Sequence, residues 1–209
     1  MKTFEIITEA DARVLERGET VMLVRGGQIT PLAQDTLRER RVTVIRDGHA
    51  SADETALAPK ADIRSVAFAS DHGGVTLRKA LVVFLRGRGL SVQDLGTDGP
   101  DPVDYPDVAA AAARIVARGE ADAGIVIDGA GIGSAIAANK IRGIRAVMAT
   151  TETIARYARE HNGANVLTLG ASLVNVDEAK AIVSTFLATP MREARYIRRL
   201  AKIRDLENT

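Results

Sequence analysis

The chain has 209 residues, 46% hydrophobic and 26% charged, which is enough apolar material to bury one full core and a small second one. A net charge of +1 and only 3% aromatic residues argue against nucleic acid or an anionic membrane as partner, since those need a basic excess or stacking rings. The lack of cysteine excludes disulfides, a thiol nucleophile and a thiolate metal site, and no apolar run reaches membrane-spanning length. Met1 to Ile7 carries no signal-peptide apolar region, so the expected location is cytoplasmic.

In chain order, residues 1–46 read as a small N-terminal α/β unit. Thr8 followed by Asp11 predicts a capped helix over Glu9 to Arg17, stopped by Gly18. A strand over Val21 to Val24, a turn at Gly26-Gly27, a Thr30-Pro31 helix start running to Arg40, and a strand over Val42 to Ile45 complete it. Residues 47–62 lose periodicity and are rich in Ala, Asp and Ser, the composition of a linker.

From residue 63 to 209 strand and helix patterns alternate, which predicts βα repeats around a parallel sheet. The strands are expected at Ile63 to Ala69, Ser91 to Leu95, Gly124 to Asp128, Ile144 to Met148 and Asn165 to Leu169. Helices are expected at Val75 to Arg86, Pro106 to Arg118, Ser134 to Ile141, Thr151 to Glu160 and Asp177 to Ala188. Right-handed crossovers then give an α/β fold, a three-layer α/β/α sandwich with a five-stranded, Rossmann-like parallel sheet. A basic segment, Arg192 to Arg204, has no strand after it and is expected to pack across the sheet end or on a second subunit.

The stretch AGIVIDGAGIGSAIAANK, Ala123 to Lys140, is a buried strand ending in Asp128, then a glycine turn, then an alanine-rich helix. Such a turn has two readings: the mouth of an anion or oxyanion site carrying Asp128, or only a tight connection. Ser70-Asp71-His72-Gly73-Gly74, Asp104-Tyr105-Pro106-Asp107 and His161-Asn162 also fall at expected strand ends, which places two of the three histidines on the rim of one sheet. Each histidine taken alone has a structural reading as well. No spacing of His and carboxylates suits a metal, so neither metal nor cofactor is expected.

From about Ile63 to Arg204 the chain resembles the ribose-5-phosphate isomerase type B and galactose-6-phosphate isomerase family. The resemblance is carried by Ser70 to Gly74, Asp104 to Asp107, Gly129 with Gly131-Ile132-Gly133, Ile136 to Lys140, Gly143 to Ala146, Arg159 to Asn162 and Asn165 to Leu167. It implies a phosphorylated aldose or ketose as substrate, with the carbonyl shifted between C1 and C2 through an enediolate. Under it, His161 matches the ring-opening histidine, while Asp71, His72, Tyr105 and Asn162 match sugar contacts. Gly129, Gly131 and Gly133 match the turn beside the sugar, and Arg195 and Arg199 match phosphate-binding arginines. Tyr196 stands where a histidine is usual and Ser172 where a further phosphate arginine often lies.

The departure that matters is at the base. Asp128 and Ala130 stand where many members carry a cysteine and a threonine, and Ser134 stands where others carry a glutamate. A carboxylate can take a proton from carbon beside a carbonyl, so Asp128 is the expected base. Two alternatives stay open: a sugar-binding subunit whose site is completed by a paralogous partner, and a non-enzymatic sugar-phosphate sensor. The resemblance also implies a homodimer or dimer of dimers with the C-terminal arginines crossing to the neighbour. In the first unit, Ile29 to Ala33 faintly resembles N-terminal segments of enzymes associated with bacterial microcompartments, which would make residues 1–46 a docking element.

Overall fold

The structure, a computed structural model, describes residues 1–46, 56–99, 101–191 and 193–207. The chain divides into two compact units, residues 1–55 with 193–195 and residues 56–192 with 196–209. Most of the expected linker, residues 47–55, lies outside the described residues, as does Arg192.

The first unit runs β1 (Thr3–Ile7), α1 (Glu9–Val14), β2 (Thr20–Ile29), α2 (Pro31–Glu39) and β3 (Thr43–Arg46), with β2 between β1 and β3 and all pairs parallel. Thr8 and Asp11 form the reciprocal cap of α1, and Thr30 caps α2 with Pro31 at its first position. Ile7, Ala12, Leu15, Val21, Leu23, Ala33 and Leu37 make its core. Helix α1 ends at Val14, before the expected Arg17, because Leu15 turns extended and is fully buried. The expected turn at Gly26-Gly27 is corrected to a bulge inside β2: pairing slips from Phe4 opposite Leu23 to Ile6 opposite Gln28. Gly26 supplies a φ of +79°, and a Cβ on Gly27 would lie 2.7 Å from the Glu5 carbonyl oxygen.

The second unit runs β4 (Ser65–Ser70), α3 (Val75–Gly87), β5 (Ser91–Asp94), α4 (Tyr105–Ala117), β6 (Ala123–Asp128), α5 (Ile132–Ala138), β7 (Ala146–Met148), α6 (Glu152–Glu160), β8 (Val166–Gly170) and α7 (Val176–Ala188). A last helix, α8 (Ala194–Leu206), contributes Tyr196, Ile197, Leu200 and Ala201 as buried residues. The sheet order is β5-β4-β6-β8-β7, every pair parallel. Strand β6 is central and buried at all six residues, as its unbroken apolar run requires. Val66, Phe68, Ile125, Ile127, Leu167 and Leu169 face one helical layer; Ala67, Ala69, Val126 and Val166 face the other. This is a three-layer α/β/α sandwich with a five-stranded parallel sheet.

From β4 the chain steps outward to β5, then back across β4 to β6, so the order of strands reverses between β4 and β6. In an open α/β sheet that reversal opens a crevice beyond the carboxyl ends of the two strands, where ligands bind.

Candidate active site

Asp71 follows β4 and is 7% exposed; its Oδ1 accepts from the Gly74 amide at 3.0 Å, and its own amide donates to the Ile127 carbonyl at 3.1 Å. That second bond ties the end of β4 to the end of β6. Next to it, His72 Nδ1 accepts from the Val103 amide at 3.3 Å, which ties the residue after Asp71 to the segment leading into α4. Tyr105 opens α4, and its ring lies against Gly133: a Cβ at Gly133 would sit 2.6 Å from ring carbons. Glycine is needed there for the phenol to reach the turn. Asp71, His72, Tyr105 and the glycine turn are thus gathered at the crevice between β4 and β6.

Asp128 ends β6 and is 4% exposed. Its Oδ1 accepts from the amides of Ala130, at 2.8 Å, and Gly131. Its Oδ2 accepts from the Ser134 amide at 2.9 Å and the Ser134 hydroxyl at 2.6 Å. A carboxylate has about four lone-pair sites, and all are used here. The acid folds back over its own turn and takes the orphan amides at the start of α5, which explains why that helix begins at Ile132 and not at the expected Ser134. Of the two readings of the turn, an anion or oxyanion site and a tight connection, the amides of Ala130 and Gly131 follow the second, since Asp128 takes both. The turn is also pinned from below, where Thr168 Oγ1 donates to the Gly131 carbonyl at 2.7 Å and Ser172 N to the Gly129 carbonyl at 3.0 Å. Gly131 has a φ of +75°, and a Cβ there would meet the backbone of Leu169 at 2.8 Å.

His161 and Asn162 are elsewhere. They follow α6 and precede β8, whose first residue, Val166, pairs with Gly124, while its last, Gly170, pairs with Asp128. At about 3.3 Å per residue, a five-residue strand separates these ends by about 13 Å. The expectation of one shared rim is corrected: within a single chain, His161 and Asn162 lie at the amino ends of the strands and Asp128 at the carboxyl ends. There the His161 ring stacks on Tyr157 at 4.7 Å and meets Tyr196 at 4.7 Å with the planes tilted by 34°, and the Arg199 guanidinium lies 5.5 Å from the Tyr196 ring centre. Asn162 Nδ2 donates to the Tyr157 carbonyl at 3.0 Å. Arg195 pairs with Glu193 at 2.6 Å, both half exposed. A cavity of about 350 Å³ opens on this same end, lined by Arg145, Ala146, Asn162, Ile203 and Leu206 among others.

The sequence reading singled out neither Thr168 nor the hydrogen bonds of Ser134 as parts of the turn's support. Ser134 falls one residue after the last glycine of the turn, where a helix-start hydroxyl can face the acid; Thr168, a polar residue in an apolar strand, carried the other signal. Among the described residues no group of three His, Asp or Glu side chains is placed to hold a metal ion, and no helix is long and apolar enough to cross a membrane.

A family model described as Ribose/Galactose Isomerase matches residues 66–203. The chain belongs to this family. It is 40% identical over 145 residues to ribose-5-phosphate isomerase B of Escherichia coli, covering 69% of this chain and 97% of that protein. It is 41% identical over 143 residues to a putative sugar phosphate isomerase of Bacillus subtilis, covering 68% and 96%. Among solved structures, ribose-5-phosphate isomerase B of Clostridium thermocellum superimposes with a TM-score of 0.68 at 45% identity, covering 69% of this chain and 97% of that one. The Mycoplasma genitalium enzyme with bound ribulose-5-phosphate does so with a TM-score of 0.66 at 38% identity, covering 69% and 96%. The Ribose/Galactose Isomerase match begins beyond residues 1–65, so residues 1–55 of the first unit lie outside it.

Proposed function

We propose that this chain is an aldose-ketose isomerase of a phosphorylated sugar, and that each complete site is shared by two chains. The observation that carries the reading is the convergence of Asp71, His72, Tyr105 and the glycine turn at the crevice between β4 and β6. Relatives named ribose-5-phosphate isomerase B make a ribose-5-phosphate-like sugar the first candidate. One chain supplies Asp71, His72, Tyr105 and the turn of Gly129, Gly131 and Gly133 to the sugar. A second copy supplies His161 to open the ring, Asn162 to hold it, and Arg195 and Arg199 to grip the phosphate, a task suited to forked guanidinium groups. Exposed Ile132, Ile136 and Leu173, 53%, 58% and 50% accessible, flank the turn and suit a homodimer contact.

In the chemical step a base removes the proton from the carbon beside the carbonyl, the enediolate forms, and the proton returns to the neighbouring carbon. Asp128 is placed for that role only if Oδ2 is freed from the Ser134 hydroxyl. Breaking that charge-assisted bond costs about 1.5–3 kcal/mol, on the order of ten- to a hundredfold in rate. Its saturated carboxylate supports a second reading, in which Asp128 only caps the turn and a related partner chain brings the base. Turnover of pentose and hexose phosphates by the purified chain separates the two. As the base, Asp128→Asn loses on the order of a thousandfold in turnover while ligand still raises the Tm; as a cap, the chain alone is inactive and gains turnover only with the partner.

We also propose that residues 1–46 dock this protein on a larger assembly, the microcompartment of the faint sequence likeness being one candidate. Ile6 and Ile45, exposed on the small sheet, would serve as contacts. Deleting residues 1–46 should abolish recruitment and leave the isomerase reaction intact; unchanged recruitment sinks the idea.

A further inference from the structure

Arg159 is fully buried, and its partners are carbonyls, not acids. Nη2 donates to the Lys60 carbonyl at 2.7 Å, Nη1 to that of Ala164 at 2.9 Å and Nε to that of Thr189 at 3.3 Å, while the guanidinium lies 5.2 Å from the Phe186 ring centre. Among the described residues no carboxylate pairs with it. Burial, with a smaller push from the neighbouring Arg145 charge, lowers its pKa to about 10, so it remains a cation at neutral pH.

Arg145 repeats the pattern. Its Nε donates to the Gly163 carbonyl at 2.7 Å and its Nη2 to that of Leu57 at 3.1 Å. Each arginine therefore joins one carbonyl of the segment Leu57 to Lys60 with one carbonyl of the turn that follows His161 and Asn162. The segment is held at its far side as well, where the Lys60 ammonium meets Asp122 at 2.5 Å and Asp122 also accepts from the amides of Arg64 and Ser65. Leu57 and Lys60 precede residue 66, where the match to the family begins, whereas both arginines fall inside it.

We propose that residues 57–60 form a strap which, through Arg145 and Arg159, fixes the position of the His161-Asn162 turn, making both arginines positioning residues for the ring-opening histidine. The assignment of His161 rests on the function proposed above; the mechanical link does not. Without the strap, the buried Arg159 guanidinium and the half-buried Arg145 guanidinium lose an acceptor each, and they must turn toward water or shift the turn they hold. A histidine displaced by even an ångström opens a sugar ring poorly, although the phosphate arginines still bind it.

The test uses the full-length chain and two variants. Arg159→Lys keeps the charge but cannot reach three carbonyls; Lys60→Met leaves the arginines intact and loosens the strap from its distant anchor. Amide hydrogen exchange should rise in both variants over residues 57–62 and over 161–165 together, by on the order of tenfold, and the His161 imidazole resonance should move. With a sugar phosphate, kcat should drop on the order of tenfold with KM little changed. Faster exchange over 57–62 with the 161–165 turn and the His161 signal unmoved would overturn the strap. Coupled exchange in a wild-type chain without turnover would leave the strap standing and count against the isomerase reading alone.

Discussion

The two ends of the five-stranded sheet solve opposite problems with opposite charges. At the carboxyl ends of the strands helices begin, so the backbone groups left over are amides, and acids collect them: Asp71 takes Gly74, and Asp128 takes Ala130, Gly131 and Ser134. At the amino ends helices finish, the leftover groups are carbonyls, and Arg145 and Arg159 collect those of Gly163, Ala164 and Thr189 together with those of Leu57 and Lys60 in the segment before β4. The chief exception at that end is Asp122, accepting from strand-start amides and from Lys60, and Glu207 likewise accepts from the Gly143 amide. The lesson is that an acid or arginine beside a functional loop here first completes the backbone; its chemistry toward a substrate has to be found in whatever capacity remains.

The sharpest way to break the comparison is to remove a cap at each end. Asp128→Ala strands the buried amides of Gly131 and Ser134, a buried hydroxyl and the more exposed amide of Ala130, and should cost about 4 kcal/mol in urea denaturation. Arg159→Met, which leaves three carbonyls short of a donor, should cost about 3 kcal/mol. A loss under about 1 kcal/mol for Asp128→Ala would show that the acid is not a cap. Gly131→Ala comes next at about 2–3 kcal/mol, because the positive φ and the 2.8 Å approach to Leu169 both oppose a side chain; a stability within error of the parent would mean the turn can relax.

Acid tests the exception. Burial works against the charge on Asp122, but hydrogen bonds from Lys60, Arg64 and Ser65 outweigh it and hold the pKa at about 2, below the ordinary 3.8. A depressed carboxylate pKa means that its stabilisation is complete above about pH 4 and is lost as pH falls through 2, about 2 kcal/mol in all. Asp122→Asn should lower stability at pH 7 and flatten the curve between pH 4 and 2; parallel curves for the two proteins would refute this. The smallest effect is expected at Ser70, whose buried Oγ has no partner among the described residues. Ser70→Ala should be neutral or stabilise by up to about 1 kcal/mol, and a clear loss of stability would reveal an acceptor the fold conceals.

Much of the fold was legible from local pattern. The β-branched run Ile125-Val126-Ile127 between small residues announced a buried central strand, and the Thr8 and Thr30-Pro31 signals placed two helix starts correctly. The site was legible in parts. Asp71, His72 and Tyr105 meet at the crevice, but His161 does not join them, because a parallel strand carries its two ends apart whatever motif stands at each. Arg159 was visible only as part of a motif, since a charged residue on a helix looks solvated until the segments that bury it are known.

The amino-acid sequence by itself determined the alternation of strands and helices, the polar residues at the strand ends and the family to which they belong, because each of these depends on side-chain type and spacing over a few residues. Tertiary structure alone decided that β4 and β6 lie side by side, that the Asp128 carboxylate is spent on its own turn, and that His161 faces the opposite end. Those outcomes depend on which distant backbone groups lack a partner once the layers pack, and that is a property of the whole sheet and of no residue within it.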